Sequence, residues 1–217
     1  SSYFDDAKNE HILRKVAQKC YMPANKAMLS LIEKAQGRFK ISYSFTGNIL
    51  EQLERWEPKA LESFQQLVNT GCVEILDETY YHSLSFLYSE KEFKSQVYQH
   101  NRKIRELFHY KPKVFRNTEL IYNNKLAQAV EAMGYEGILA EGADHILGWR
   151  SPNFVYRPAA TRGLSLLLKN YRLSDDIAFR FSEKSWSEWP LTAPKFAQWV
   201  NAHNGSGQLI NLFMDYE

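Results

Sequence analysis

The sequence is poor in the features that several large protein classes require. Only two cysteines, Cys20 and Cys72, occur in the 217 residues, both in apolar contexts and without CxxC spacing. No disulfide framework is expected, and both read as small core residues of a reduced protein. Long apolar runs are missing too. LSLLLKN at 164–170 and QLINLFM at 208–214 fall far short of the ~20 residues of a membrane-spanning helix, and no stretch has the pattern of a signal peptide, so no membrane partner and a cytoplasmic location are expected. A net charge of +2, with no run of Lys or Arg, gives no electrostatic reason to expect a nucleic-acid partner. The GxSxG, GxxxxGK[ST] and GxGxxG motifs are absent, which removes the usual supports for serine hydrolase, nucleotidase and dehydrogenase chemistry. None of the six histidines is paired at HxxxH or HExxH spacing, so no metal is expected unless its site is assembled from distant strand ends.

What remains is 44% hydrophobic and 24% charged, the balance of a single globular domain or of part of a larger one. Strand and helix patterns alternate. RFKISYSFT, CVEIL, KVFRN, GILA, GLSLLLKN and QLINLFM read as strands. Between them lie helical periodicities that end at Gly37, Gly71 and Gly134, and a capping box of Ser89 and Glu92 opens the most regular one. Pro23 is expected to start a second helix after the opening one, and Trp199 to be a core residue of a late helix. The stretch 144–158, DHILGWRSPNFVYRP, reads as a long ordered loop. Repeated β then α implies right-handed crossovers and a parallel sheet, as a barrel or a doubly wound sheet. The opening in a helix and the ending in a strand suggest a chain cut at both ends.

Acidic residues then fall in a pattern. Glu78 and His82 follow CVEIL, Glu119 follows KVFRN, Glu141 follows GILA, and Asp215 with Glu217 follows QLINLFM. In parallel α/β folds the carboxyl ends of strands carry the active site. One acid at a strand end is ordinarily a turn or cap residue, but like charges gathered on one rim repel, so the arrangement is costly unless it is used. Two carboxylates are also the minimum equipment for glycoside cleavage. Tyr80, Tyr81, Trp149, Phe154, Tyr156, Trp186 and Trp189 offer stacking surfaces for sugar rings, although core packing is the commoner fate of an aromatic side chain. Trp149 stands out because Gly148, Arg150 and Pro152 place it in irregular chain.

GCVEILDETYYHSL (71–84), FRNTEL (115–120) and LFMDYE (212–217) resemble, in order and spacing, three sequence regions of glycoside hydrolase family 57, the α-amylase and 4-α-glucanotransferase family. The resemblance runs over essentially the whole chain. It implies a parallel (β/α)7 barrel, an incomplete relative of the eight-fold barrel, of which 1–217 would be the partial catalytic domain, lacking the first strand and the C-terminal elements. It implies a retaining enzyme without a metal or other cofactor, acting on α-1,4 bonds of starch, glycogen or maltodextrin. By position, Glu119 would be the nucleophile and Asp215 the general acid/base, with carboxyl groups ~5 to 5.5 Å apart. Glu74, His82 and Glu217 would bind or orient the sugar, with Trp149 as a stacking candidate. The alternatives are a metal-dependent polysaccharide deacetylase-like barrel and a catalytically silent glucan-binding barrel.

Overall fold

The computed structural model describes residues 5–216. These residues divide into two compact units, one running up to Thr118 and including Tyr216, the other covering Glu119–Asp215.

The first unit begins with α1 (Asp6–Val16), whose first turn is capped by the Asp5 carboxylate accepting from the Lys8 amide at 3.0 Å. The helix does not stop at Pro23 as expected. It continues through a π-helical turn, Ala17–Tyr21, into α2 (Met22–Lys34). Pro23 lacks the N–H that would bond the carbonyl four residues earlier, and the widened turn lies where that bond is missing. After β1 (Ile41–Tyr43) come α3 (Gly47–Trp56) and α4 (Pro58–Asn69), separated at Glu57 and Pro58. Then follow β2 (Val73–Ile75), α5 (Glu90–Phe108) and β3 (Val114–Arg116). The capping box forms, with the Ser89 hydroxyl accepting from the Glu92 amide at 3.2 Å.

β1 and β2 are parallel, with Ser42 opposite Glu74 and Tyr43 opposite Ile75. Just beyond β2, Asp77 makes a parallel bridge to Phe115 in β3. The core beside these strands holds Tyr43, Phe45, Leu50, Leu53, Phe64, Leu67, Ile75, Ile104 and Phe108. Phe45 meets Phe64 edge-on at 4.9 Å between centroids and stacks on Phe108 at 5.6 Å. Tyr216 joins the same core. Its hydroxyl accepts from that of Tyr43 at 3.0 Å and donates to Asn25 Oδ1 at 3.0 Å, and its carbonyl accepts from the Cys20 thiol. Both cysteines are free thiols, Cys72 buried and Cys20 half-buried.

The second unit contains α6 (Asn124–Ala132), β4 (Gly137–Glu141), α7 (Asp144–Leu147), β5 (Ser165–Lys169), α8 (Tyr171–Ala178) and α9 (Ala193–Asn201). β4 and β5 are parallel in the register Gly137↔Ser165 to Glu141↔Lys169. The expected strand at 208–214 is reduced to one parallel bridge, Lys169↔Asn211. Asn211 holds β5 through its carbonyl, which accepts from the Asn170 amide, and its side-chain amide, which donates to the Leu168 carbonyl. Two residues on, the Phe213 amide donates to the Ser174 hydroxyl instead of to a strand, and the ladder goes no further. Trp199 is a second departure from expectation. It is half-buried, packed edge-on against Trp186 with Lys195 over its ring, on a helix with no fully buried residue. Among the described residues no helix is long and apolar enough to cross a membrane.

Candidate active site

The carboxyl ends of β1, β2 and β3 carry a cluster of polar groups, all within the first unit. Glu78, three residues past β2, is 1% exposed. Its Oε1 accepts from the Ser44 hydroxyl at 2.8 Å, and its Oε2 lies 3.2 Å from Arg116 Nη1 and 3.4 Å from His82 Nδ1. Arg116 Nη1 and His82 Nδ1 are 3.3 Å apart. Burial alone would raise the pKa of Glu78; the hydrogen bond with His82, the charges of Arg116 and His100, and the Ser44 hydroxyl together hold it below the usual carboxylate value. The outcome is an ionised carboxylate, held inside the protein by cations and donors.

Next to it, Asp77 and His100 are both wholly buried. Asp77 receives the Glu78 amide and His100 Nδ1 on Oδ1, and the Asn101 side-chain amide on Oδ2. Its backbone bonds to β3 on both sides, to the Val114 carbonyl at 2.9 Å and from the Arg116 amide at 2.8 Å. The Thr79 and Thr118 hydroxyls lie 3.1 Å apart, Thr118 donating to the Ser83 carbonyl at 2.8 Å and Thr79 within 3.3 Å of the same carbonyl. Every residue from Asp77 to Thr79 is therefore fixed by polar bonds to neighbouring segments.

The backbone here departs from ordinary geometry. His82 has φ 53°, Glu119 φ 55° and Leu120 φ 53°, left-handed conformations at residues other than glycine. Such a conformation costs about 1–3 kcal/mol per residue and survives only where the surroundings impose it. It turns the chain sharply just past β3, and the Glu119 side chain is left exposed while Leu120 is buried.

Of the residues expected at the site, the structure joins Glu78 with His82. Glu74 lies within β2, half-buried, accepting from the Ser42 hydroxyl at 3.1 Å and raising the pKa of the nearby Tyr110 by its charge, after burial. Glu119 and Asp215 both belong to the second unit and both are exposed, neither being buried among aliphatic side chains. Glu141, at the end of β4, faces Lys169 at 3.6 Å, and Lys169 also faces Asp175 at 3.7 Å, so this acid belongs to a local ion-pair network. Trp149 is 95% exposed, following Gly148 in a left-handed turn after α7. Glu217 lies outside the described residues. Of the expected stacking aromatics, Tyr80 is 3% exposed and its hydroxyl donates to Glu51, which withdraws it from any ligand, whereas Tyr81 is half exposed.

Ser44, Asp77, His100 and Arg116 were not anticipated. His100 left a trace in the sequence, since it interrupts the buried stripe of α5 at Phe93, Val97 and Ile104 at helical spacing. Ser44 and Arg116 left none, because a polar residue at a strand end is ordinary. Among the described residues, no group of three or more His, Cys, Asp or Glu side chains is arranged to hold a metal ion.

Comparison with known proteins gives a consistent picture. The model of glycosyl hydrolase family 57 matches residues 1–217. A curated relative from Methanocaldococcus jannaschii, named "Putative alpha-amylase", is 46% identical over 216 residues, which are 99% of this chain and 45% of the relative. The chain thus spans about half the length of that relative. Among solved structures, 4-alpha-glucanotransferase from Thermococcus litoralis superposes with a TM-score of 0.73 at 16% identity, covering 94% of this chain and 30% of the other. The alpha-amylase AmyC from Thermotoga maritima does so with 0.59 at 17% identity, over 82% of this chain and 43% of the other. A protein from Mycobacterium smegmatis named "putative polysaccharide deacetylase" shares the fold at 0.60 and 15% identity, over 89% of this chain and 61% of the other.

Proposed function

The chain belongs to glycosyl hydrolase family 57, and from that premise we propose that it forms part of the catalytic domain of an α-glucan-active glycosidase or transglycosylase, built as a (β/α)7 barrel. The reaction is double displacement at α-1,4 bonds. Glu119 attacks the anomeric carbon while Asp215 protonates the departing glycosidic oxygen, and Asp215 then deprotonates the water or sugar hydroxyl that releases the glycosyl group. Retention requires the two carboxyl groups to stand ~5 to 5.5 Å apart. The substrates are starch, glycogen or the maltodextrins derived from them.

The observation that carries this reading is the turn at Glu119 and Leu120. Two consecutive non-glycine residues in the left-handed region, directly after a strand, present an exposed carboxylate next to a segment otherwise fixed by buried polar bonds. Strain of this kind costs stability and is retained at functional positions. Both members of the proposed pair are acids at the positions that the resemblance of FRNTEL and LFMDYE to the family singles out, and both are open to solvent. His82, half-buried with its ring against Glu78 and Arg116, is suited to hold a sugar hydroxyl, with Glu74, Glu217 and the exposed Trp149 as further binding groups.

The test is incubation of the whole protein with maltoheptaose, with and without chelator, beside the Glu119→Gln variant. Loss of all shorter and longer maltodextrin products in the variant, and indifference to chelator, support the proposal. Inertness toward maltoheptaose, with release of acetate from an N-acetylated oligosaccharide that ceases on chelation, moves the chain to the deacetylase class, and an unmodified protein that binds maltoheptaose without cleaving it leaves a silent glucan-binding barrel.

A further inference from the structure

We infer that His100 is an imidazolium at neutral pH and that, paired with Asp77, it is the positioning element that sets Glu78, and through Glu78 the ring of His82. The consequence for sugar binding rests on the function proposed above; the charge assignment stands on geometry alone.

His100 is wholly buried, and each ring nitrogen meets an acceptor. Nδ1 is 2.5 Å from Asp77 Oδ1, and Nε2 is 2.6 Å from the carbonyl oxygen of Phe45. A backbone carbonyl cannot donate, so Nε2 carries a proton. Asp77 Oδ1 also accepts the Glu78 amide at 3.1 Å, and Oδ2 accepts the Asn101 side chain at 2.7 Å, the pattern of an ionised carboxylate surrounded by donors. Nδ1 must then carry a proton as well. A neutral imidazole has only one N–H and would leave two acceptors facing each other at a buried position. Burial works against the charged ring, but the hydrogen bond and charge of Asp77, with the charge of Glu78, keep its pKa above the ordinary histidine value. The charged groups facing this ring are Asp77 and Glu78, and Arg116 stands beyond Glu78.

The two bonds of the ring also have a mechanical effect. Phe45 follows Ser44, and Asp77 precedes Glu78; Ser44 and Glu78 bond to each other at 2.8 Å. His100 therefore clamps together the two backbone segments from which that bond is made. Asp77 in turn binds β3 by two backbone bonds flanking Phe115, fixing the origin of Arg116, which reaches Glu78 as well. Glu78, at 1% exposure, cannot take substrate itself and acts by holding His82. His100 and Asp77 are thus positioning residues, one step further from the sugar.

The experiment is nitrogen NMR of the whole protein labelled at histidine, together with steady-state kinetics of Asp77→Asn on maltoheptaose. At about pH 8, where an unperturbed histidine is mostly neutral, both ring nitrogens of His100 are expected to be protonated. A single bare ring nitrogen at that pH overturns the charge assignment. Asp77→Asn is expected to discharge His100, shift the ring resonances of His82, and raise KM about tenfold with kcat changed by less than about threefold, since positioning of a binding group weakens ground-state and transition-state binding alike. A folded variant whose His82 resonances and KM are those of the unmodified protein overturns the positioning role. If Asp77→Asn fails to fold, the spectrum of the unmodified protein decides the charge, and His100→Gln, which can satisfy one of the two acceptors, takes its place in the kinetics with the same expectation. Activity surviving in Glu119→Gln would strike the catalytic assignment without touching the His100 spectrum, so the two failures are distinguishable.

Discussion

Replacing Glu78 with glutamine keeps the side chain's shape and removes its charge. One oxygen can still accept from Ser44, but the new amide N–H₂ faces Arg116 Nη1 at the position where Oε2 stood 3.2 Å away. A hydrogen bond between charged groups contributes about 1.5–3 kcal/mol, and setting donor against donor at a buried site adds to the loss. We expect a destabilisation of about 2–4 kcal/mol at neutral pH, lowering the melting temperature by about 5–15 °C for a chain of this size. The pH dependence gives a sharper check. Because the folded-state pKa of Glu78 lies below its ordinary value of 4.5, its contribution is complete above the unfolded-state value and is lost as pH falls through the folded one. The stability gap between the two proteins should therefore be constant above about pH 5 and narrow steadily below about pH 4. Urea denaturation of both proteins over this range measures it. A gap that is absent at pH 7, or that persists unchanged into acid, would refute the reasoning.

Three further outcomes follow from the same contacts. Glu119→Gln should lower kcat by about 10⁴-fold or more while leaving the melting temperature within about 2 °C, since the side chain is exposed; turnover measurements beside thermal unfolding check both parts. Gly47→Ala would place a Cβ 2.4 Å from ring atoms of the buried Tyr80, so a loss of about 1–3 kcal/mol in denaturant titration is expected. Tyr216→Phe should cost about 1–3 kcal/mol in the same assay, because it leaves the Tyr43 hydroxyl and Asn25 Oδ1 without the partner they now share.

The parts of the fold that repeat a local rule were legible in the sequence. The Ser89 cap, the apolar stripe of α5 and the β2, β3, β4 and β5 segments announce themselves through spacing and turn residues. Misreadings occurred where a long-range bond replaced a local one. At 208–214 the alternation suits a strand, but the Ser174 hydroxyl takes the Phe213 amide and ends the pairing at Asn211. At Pro23 the packing of a continuous helix outweighed the local break, which the π-helical turn absorbs. Glu78 and His82 could be found because strand ends are visible in sequence. Their supports could not, since His100 reaches Asp77 from 23 residues away and Phe45 from 55, distances at which one sequence carries no pairing signal.

The most direct test of the central claim is the stereochemistry of azide rescue in the whole protein, with α-maltosyl fluoride as substrate. With its nucleophile removed, Glu119→Gly should regain turnover in azide and release the inverted β-glycosyl azide, because the anion occupies the vacated face. Asp215→Ala should release the retained α-glycosyl azide, formed by attack on the glycosyl group already carried by Glu119. The opposite assignment of products, or rescue of neither variant with activity intact in both, would contradict the account.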